Sequence, residues 1–243
     1  MALLDIQGVS VRFGGLMAVD TVSLAAEAGR VTGLIGPNGA GKTTTFNVIT
    51  GLQAPTKGRV LIDGEEIGRL APHKRARRGM ARTFQRLELF GVLTARENVM
   101  AAASMSARYR KGKETPAAIA ARLLARVGLT GVADVPAGRL PTGQGRLVEL
   151  ARALATQPRL LLLDEPASGQ DDQETHHFAG LLRELAAEGL AVLLVEHDMG
   201  LVMSVCDYLY VLDFGRLLAD GTPDEVRRHP DVLAAYLGRE YQQ

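Results

Sequence analysis

The apolar, strand-like run Val31-Thr32-Gly33-Leu34-Ile35 leads directly into Gly36-Pro37-Asn38-Gly39-Ala40-Gly41-Lys42-Thr43. These eight residues satisfy G-x-x-x-x-G-K-[ST] at every fixed position, and Lys42 to Thr50 then reads as a helix. Glycines let backbone N–H groups converge on a phosphate chain, and the N-terminus of the following helix adds a dipole that favours anions. Lys42 is placed to reach the β- and γ-phosphates and Thr43 to offer its hydroxyl to Mg²⁺. An ordinary glycine-rich turn is the alternative, but it does not account for eight residues in register between a strand and a helix. The pattern implies a bound nucleoside triphosphate.

Two further apolar runs end in polar groups: Leu160–Leu163 before Asp164-Glu165, and Ala191–Val195 before Glu196-His197-Asp198. Continuous apolar strands of this kind belong to a parallel sheet buried on both faces, and open α/β sheets bind ligands at the C-terminal ends of their strands. Between them, Phe178, Leu181, Leu182 and Leu185 recur at helical spacing, with Gly189 as a stop. The first section differs. Alternating segments at Ile6–Val11, Val22–Leu24 and Val60–Ile62, with turns at Gly14-Gly15 and Asp63-Gly64, predict antiparallel strands. Residues 86–158 lack strand patterns and hold helix-like stretches at Glu97–Ser106, Ala117–Val127 and Leu147–Thr156. Connectors are expected at Lys111–Lys113 and Pro136–Pro141.

At 243 residues and 47% hydrophobic content, the chain can form one large α/β core with an inserted subdomain. The net charge of +1 gives no support to a nucleic-acid partner. The charge is uneven: residues 1–85 carry 11 basic and 6 acidic groups, 86–158 carry 11 and 5, and 159–243 carry 6 and 16. Either these sections face different neighbours or they complement one another within one fold. The single cysteine, Cys206, excludes an internal disulfide, suits a reducing compartment and reads as a small core residue. No signal peptide is visible, and no apolar run approaches the roughly 20 residues of a membrane span.

The chemistry-bearing residues follow from these strand ends. An Asp-Glu pair after an apolar run is an ordinary strand end by itself. Beside a phosphate loop, Asp164 is suited to hold Mg²⁺ through water and Glu165 to deprotonate an attacking water. His197 can hydrogen-bond a γ-phosphate or be a structural histidine. Gln85, in Thr83-Phe84-Gln85, can reach metal or water where the core meets the helical section. Leu140-Pro141-Thr142-Gly143-Gln144-Gly145-Arg146 opens a helix, as a second anion site or as a purely structural entry. The basic cluster His73, Lys74, Arg75, Arg77, Arg78 and Arg82 reads as a solvated helix face or as a contact with lipid or a partner.

In this order, the parts resemble the ATP-binding cassette (ABC) family over essentially the whole chain. The resemblance matches Gly36–Thr44 to the Walker A loop, Gln85 to the Q-loop and Leu140–Arg146 to the signature. It matches Leu160–Glu165 to Walker B, Ser168–Asp171 to the D-loop and His197 to the switch histidine. It implies an α/β P-loop core (1–85 and 159–243) with an N-terminal antiparallel subdomain and a helical subdomain at 86–158. ATP would contact Phe13, Val19, Asn38, Gly39, Ala40, Gly41, Lys42, Thr43 and Thr44, Phe13 stacking on adenine. Thr142, Gly143, Gln144 and Asp171 would contact ATP across a pair of cassettes. Glu165 would be general base, with His197, Lys42 and Gln85 in catalysis and Thr43, Gln85 and Asp164 at Mg²⁺.

The segments Arg12–Val19, Ala81–Gln85 and Gly221–Gly238 look like the ATP-binding subunits of branched-chain amino-acid importers, with urea and amide importers as near relatives. The implied partners are integral-membrane permeases, a second cassette chain and, indirectly, a solute-binding protein, at the cytoplasmic membrane face. A mechanical ATPase acting on DNA or ribosomes, or a weakly hydrolysing scaffold, are the alternatives. Pro141, Thr142 and Gly145 depart from the common Leu-Ser-Gly-Gly-Gln signature, and Gln170 stands where the D-loop commonly has leucine.

Overall fold

The computed structural model describes residues 2–109 and 114–240; the connector expected at Lys111–Lys113 lies outside them. The chain opens with a hairpin of β1 (Ala2–Phe13) and β2 (Leu16–Glu27). β3 (Val31–Ile35) then feeds α1 (Lys42–Thr50), followed by β4 (Lys57–Ile62), the two-residue β5 (Glu65–Glu66), α2 (Pro72–Arg77) and β6 (Met80–Arg82). Three helices come next: α3 (Ala95–Ala107), α4 (Pro116–Arg126) and α5 (Thr142–Leu154). The chain then runs through β7 (Leu160–Asp164), α6 (Asp172–Ala187), β8 (Ala191–Val195) and α7 (Met199–Val205). β9 (Tyr208–Asp213), β10 (Arg216–Gly221), α8 (Pro223–Arg228) and α9 (Pro230–Glu240) complete it.

Two sheets result. One is antiparallel, in the order β2-β1-β4-β5; the other has the order β10-β9-β3-β8-β7-β6 and is parallel except for its β9–β10 edge. Every residue of β3, β7 and β8 is buried, so their sequences read as unbroken apolar runs. Alternate residues serve opposite faces. Leu161, Leu163, Val192 and Leu194 join a core with α6, α7 and the helices α3 to α5, including Phe178, Leu182 and Leu185. Leu160, Leu162, Leu193 and Val195 join a second core with α1 and the antiparallel sheet, including Phe46, Ile49, Val22 and Val60. Each fully buried leucine or valine contributes roughly 1.5–3 kcal/mol, so these three strands anchor the fold.

Local signals set the helix ends. Asp171 accepts the Glu174 N–H at 2.8 Å while Glu174 accepts the Asp171 N–H, a reciprocal cap that starts α6; Thr94 and Glu97 do the same for α3. α5 starts at Thr142, five residues ahead of the periodic run, with Pro141 as its entry and no side-chain cap. β1 and β2 run twelve residues each, well beyond the alternating segments, because β1 is sandwiched between β2 and β4 and stays hydrogen-bonded through several bulges.

The basic cluster divides. His73, Lys74, Arg77 and Arg78 are exposed, but Arg75 is 2% exposed. Its guanidinium donates to Val48 O and Ile49 O (both 2.7 Å), Leu70 O (2.9 Å) and Gly68 O (3.0 Å). It thereby satisfies carbonyls at the C-terminus of α1, where positive charge also suits the helix dipole. Arg82 is of intermediate burial, with its side chain 9% exposed. Neither of these two arginines belongs to a solvated or lipid-facing surface.

Candidate functional site

The loop between β3 and α1 is shaped by backbone contacts that only glycine allows. At Gly36 (φ 147°) a Cβ would lie 2.1 Å from Leu212 O, so the loop passes directly over the end of β9. Gly41 is the N-cap of α1 at φ 99°, with no side-chain cap and no acidic residue in the first turn. A helix start leaves its first N–H groups without intrahelical acceptors, and nothing acidic here competes with an anion for them. The Lys42 ammonium donates to Gly36 O at 2.6 Å and Pro37 O at 3.0 Å, which holds it under the loop. A cleft of about 510 Å³ opens above, lined by Asn38 to Thr44, Leu16 to Ala18, Gln85, Glu165 and Phe214.

The loop, Gln85 and Glu165 thus meet in one cleft although about 120 residues separate the first from the last. Gln85 Nε2 donates to Glu165 Oε2 at 2.8 Å, and His197 Nδ1 lies 3.8 Å from the same oxygen. Glu165 adopts φ 48°, a left-handed conformation rarely taken by so large a residue, held by its N–H bond to Val195 O at 2.9 Å. Its carboxylate is therefore aimed by the junction of β7 and β8.

Asp164 is placed differently from Glu165. It is 4% exposed, and its Oδ2 accepts from Arg82 Nη2 at 2.8 Å. Arg82 also donates to Asn47 Oδ1 at 2.8 Å, and its guanidinium lies against the Phe46 and Phe84 rings. Asp164 thus stands behind the cleft, one oxygen committed to an arginine, rather than in its lining.

A hard cation fits this donor set. No cluster of three or more His, Cys, Asp or Glu side chains suited to a metal occurs among the described residues. Mg²⁺ characteristically takes few protein ligands and completes its shell with water and substrate phosphates. The exposed Thr43 hydroxyl, the Gln85 amide and the nearby carboxylates match that pattern.

The remaining nucleotide candidates lie elsewhere. Val19 is fully buried in the core and does not line the cleft. Phe13 is 49% exposed at the end of β1 and does not line the cleft; Leu16, Met17 and Ala18 do. Thr142, Gly143, Gln144 and Asp171 also stand outside it. At Gly143 a Cβ would sit 2.2 Å from Glu174 Oε1, so the start of α5 is pressed against the start of α6. Two of the departures make local contacts: a Cβ at Gly145 would meet the end of the Leu87 side chain at 2.7 Å, and the Gln170 amide donates to Pro166 O.

Three residues that lie within or beside these motifs have structural roles the sequence did not assign to them. Arg82 ties Asp164 to α1. Arg146, 5% exposed, donates to Phe84 O at 2.8 Å and to Gln85 O, fastening α5 to the segment that presents Gln85. Glu196, 1% exposed, accepts from Ala167 N (2.8 Å) and His197 N (3.0 Å), joining the segment after Glu165 to that of His197. Burial pushes the Glu196 carboxyl up, against the opposing pull of these backbone bonds. Its signal was present, since it follows a buried strand just as Glu165 does.

The family profile described as "ABC transporter" matches residues 19–168, and one described as "Branched-chain amino acid ATP-binding cassette transporter" matches residues 216–242. The chain is 45% identical to the high-affinity branched-chain amino acid transport ATP-binding protein BraF of Pseudomonas aeruginosa, over 97% of this chain and 98% of that protein. It is 41% identical to the corresponding LivG of Escherichia coli K12 over the same shares. Among solved structures, a nucleotide-free ATP-binding cassette from an ABC transporter superposes with a TM-score of 0.88 at 31% identity, covering 97% of this chain and 99% of that one. The ADP conformation of another such cassette gives 0.87 at 32% identity, covering 98% and 99%. Phosphate loop, strand-end carboxylates and whole-chain similarity therefore agree, and the chain belongs to the ATP-binding subunits of ABC transporters, a family of ATPases.

Proposed function

We propose that this chain powers an importer of branched-chain amino acids from the cytoplasmic face of the membrane. The observation that carries the ATPase part is the cleft that unites the phosphate loop with Gln85 and Glu165 while leaving Thr142 and Gly143 outside it. Such a cleft is half a site. The other half would come from the α5 start of a second cassette chain, whose N–H groups would meet the γ-phosphate. The cargo assignment is supported by the names of the relatives and by the profile at residues 216–242.

In this reading residues 1–85 and 159–243 form the nucleotide-binding core and 86–158 a helical subdomain. The loop N–H groups and Lys42 hold the phosphates. Thr43 and Gln85, with Asp164 behind them, would hold Mg²⁺, which when bound neutralises charge developing on the phosphates. Glu165 takes a proton from the water that attacks the γ-phosphorus in line, and ADP leaves with the β-γ bridging oxygen. His197, beside Glu165, bonds the γ-phosphate and that water.

Arg146 would link these events to the rest of the molecule, because its bonds to Phe84 O and Gln85 O tie α5 to any movement of Gln85. A largely apolar groove of about 420 Å³, lined in part by Leu52, Met80, Phe84, Phe90, Met105 and Tyr109, is where a permease segment would dock. ATP-dependent uptake of labelled leucine or valine into vesicles holding the permeases, the partner cassette and the binding protein tests the reading. Uptake of urea or short amides instead would redirect the cargo assignment, and uptake without ATP would refute the role.

A further inference from the structure

Phe214 occupies the turn between β9 and β10 and lines the cleft together with the phosphate loop, Leu16 and Met17. It is 79% exposed, a large apolar side chain at the rim of a ligand site. Its backbone sits at φ 43°, which costs a bulky residue of this type free energy and persists only where the surroundings enforce it.

The surroundings do enforce it. Gly215 N donates to Ala40 O in the phosphate loop at 3.1 Å, and Gly215 O accepts from Asp20 N on β2 at 2.7 Å. Arg216 pairs with Asp20 at 2.7 Å, and Leu212 O underlies Gly36. The turn is thus stitched to the phosphate loop on one side and to the β1–β2 hairpin on the other. The backbone that carries the Phe214 side chain therefore has a fixed place relative to the phosphate site.

We infer that Phe214 is a base-contacting residue, its ring forming with Leu16 and Met17 the apolar rim that receives the adenine of ATP. The inference rests on the nucleotide reading of this cleft. Every base has a π-face, so an aromatic side chain adds affinity for the base while leaving the phosphates untouched.

The chain contains no tryptophan, so Phe214→Trp installs a single reporter. ATP should quench its emission and inorganic tripolyphosphate, which lacks a base, should not. Phe214→Ala, and Phe214→Asn, which tolerates the left-handed backbone, should each bind ATP roughly 5- to 100-fold more weakly. Both should hold tripolyphosphate within about twofold of wild type.

Equal loss for both ligands would mean that the turn merely shapes the loop, and would overturn the inference. So would unchanged ATP affinity in both variants, or a reporter that responds alike to both ligands. A wild-type chain that binds neither ligand would overturn the nucleotide reading itself, and this inference with it.

Discussion

Replacing Arg82 by methionine keeps most of the apolar stem but removes the guanidinium that faces Asp164. The two side chains are 9% and 5% exposed and 2.8 Å apart, so the lost partner leaves a carboxylate stranded away from water. Removing one member of such a buried pair costs about 3–5 kcal/mol. The contact with Asn47 and the ring contacts at 5.6 Å (Phe46) and 5.0 Å (Phe84) are lost as well. Against a typical net stability of about 5–15 kcal/mol the effect is large. An arginine on a solvated helix face would instead change stability by no more than about 0.5 kcal/mol. Urea unfolding followed by far-ultraviolet circular dichroism at neutral pH measures the difference through the midpoint, with the slope unchanged. Adding Asp164→Asn to Arg82→Met removes the stranded charge, so the two changes should be non-additive by roughly 1–3 kcal/mol. A single-variant loss below about 1 kcal/mol, or simple additivity, would refute the reasoning.

Two other outcomes follow from the geometry. Gly36→Ala would force a Cβ to within 2.1 Å of Leu212 O, a backbone atom that cannot swing aside, so ATP affinity measured by equilibrium dialysis should collapse while inert-site alanines leave it intact. Burial pushes the Cys206 thiol up to about 12 from an ordinary 9.0, so at pH 8 Ellman's reagent should label it only as fast as the chain opens. The sign of its pH effect follows from proton counts: between pH 9 and 12 the unfolded thiol binds fewer protons than the native one, so this group's stabilisation is lost as pH rises. Comparing wild type with Cys206→Ala, the stability difference should be flat below pH 8 and narrow above 9.

Much of the fold was legible because the three central strands are buried on both faces and carry unbroken apolar runs. Val31–Ile35 and Ala191–Val195 fall on β3 and β8 as expected, and Leu160–Leu163 extends by one residue into Asp164. The edge elements were harder to see. β6 has three residues, and β10 has a single buried residue and no apolar run to betray it. Within the site, the phosphate loop is written as local pattern, since glycines and a lysine at fixed spacing suffice. The pairings of Arg82 with Asp164 and of Arg146 with the carbonyls of Phe84 and Gln85 join residues 61 to 82 positions apart. No local pattern marks an arginine as turned inward, so in the sequence Arg75 and Arg82 read with the exposed charges around them.

Phosphate release by Glu165→Gln, in the complex with permeases and partner cassette, tests the central claim most directly. Glutamine is nearly isosteric and can still accept from Gln85, so the cleft should keep its shape and its ATP. Losing the general base should slow turnover by roughly 10²- to 10⁴-fold, with ATP retained and the cassette pair held closed. Turnover at the wild-type rate in that variant would contradict the account.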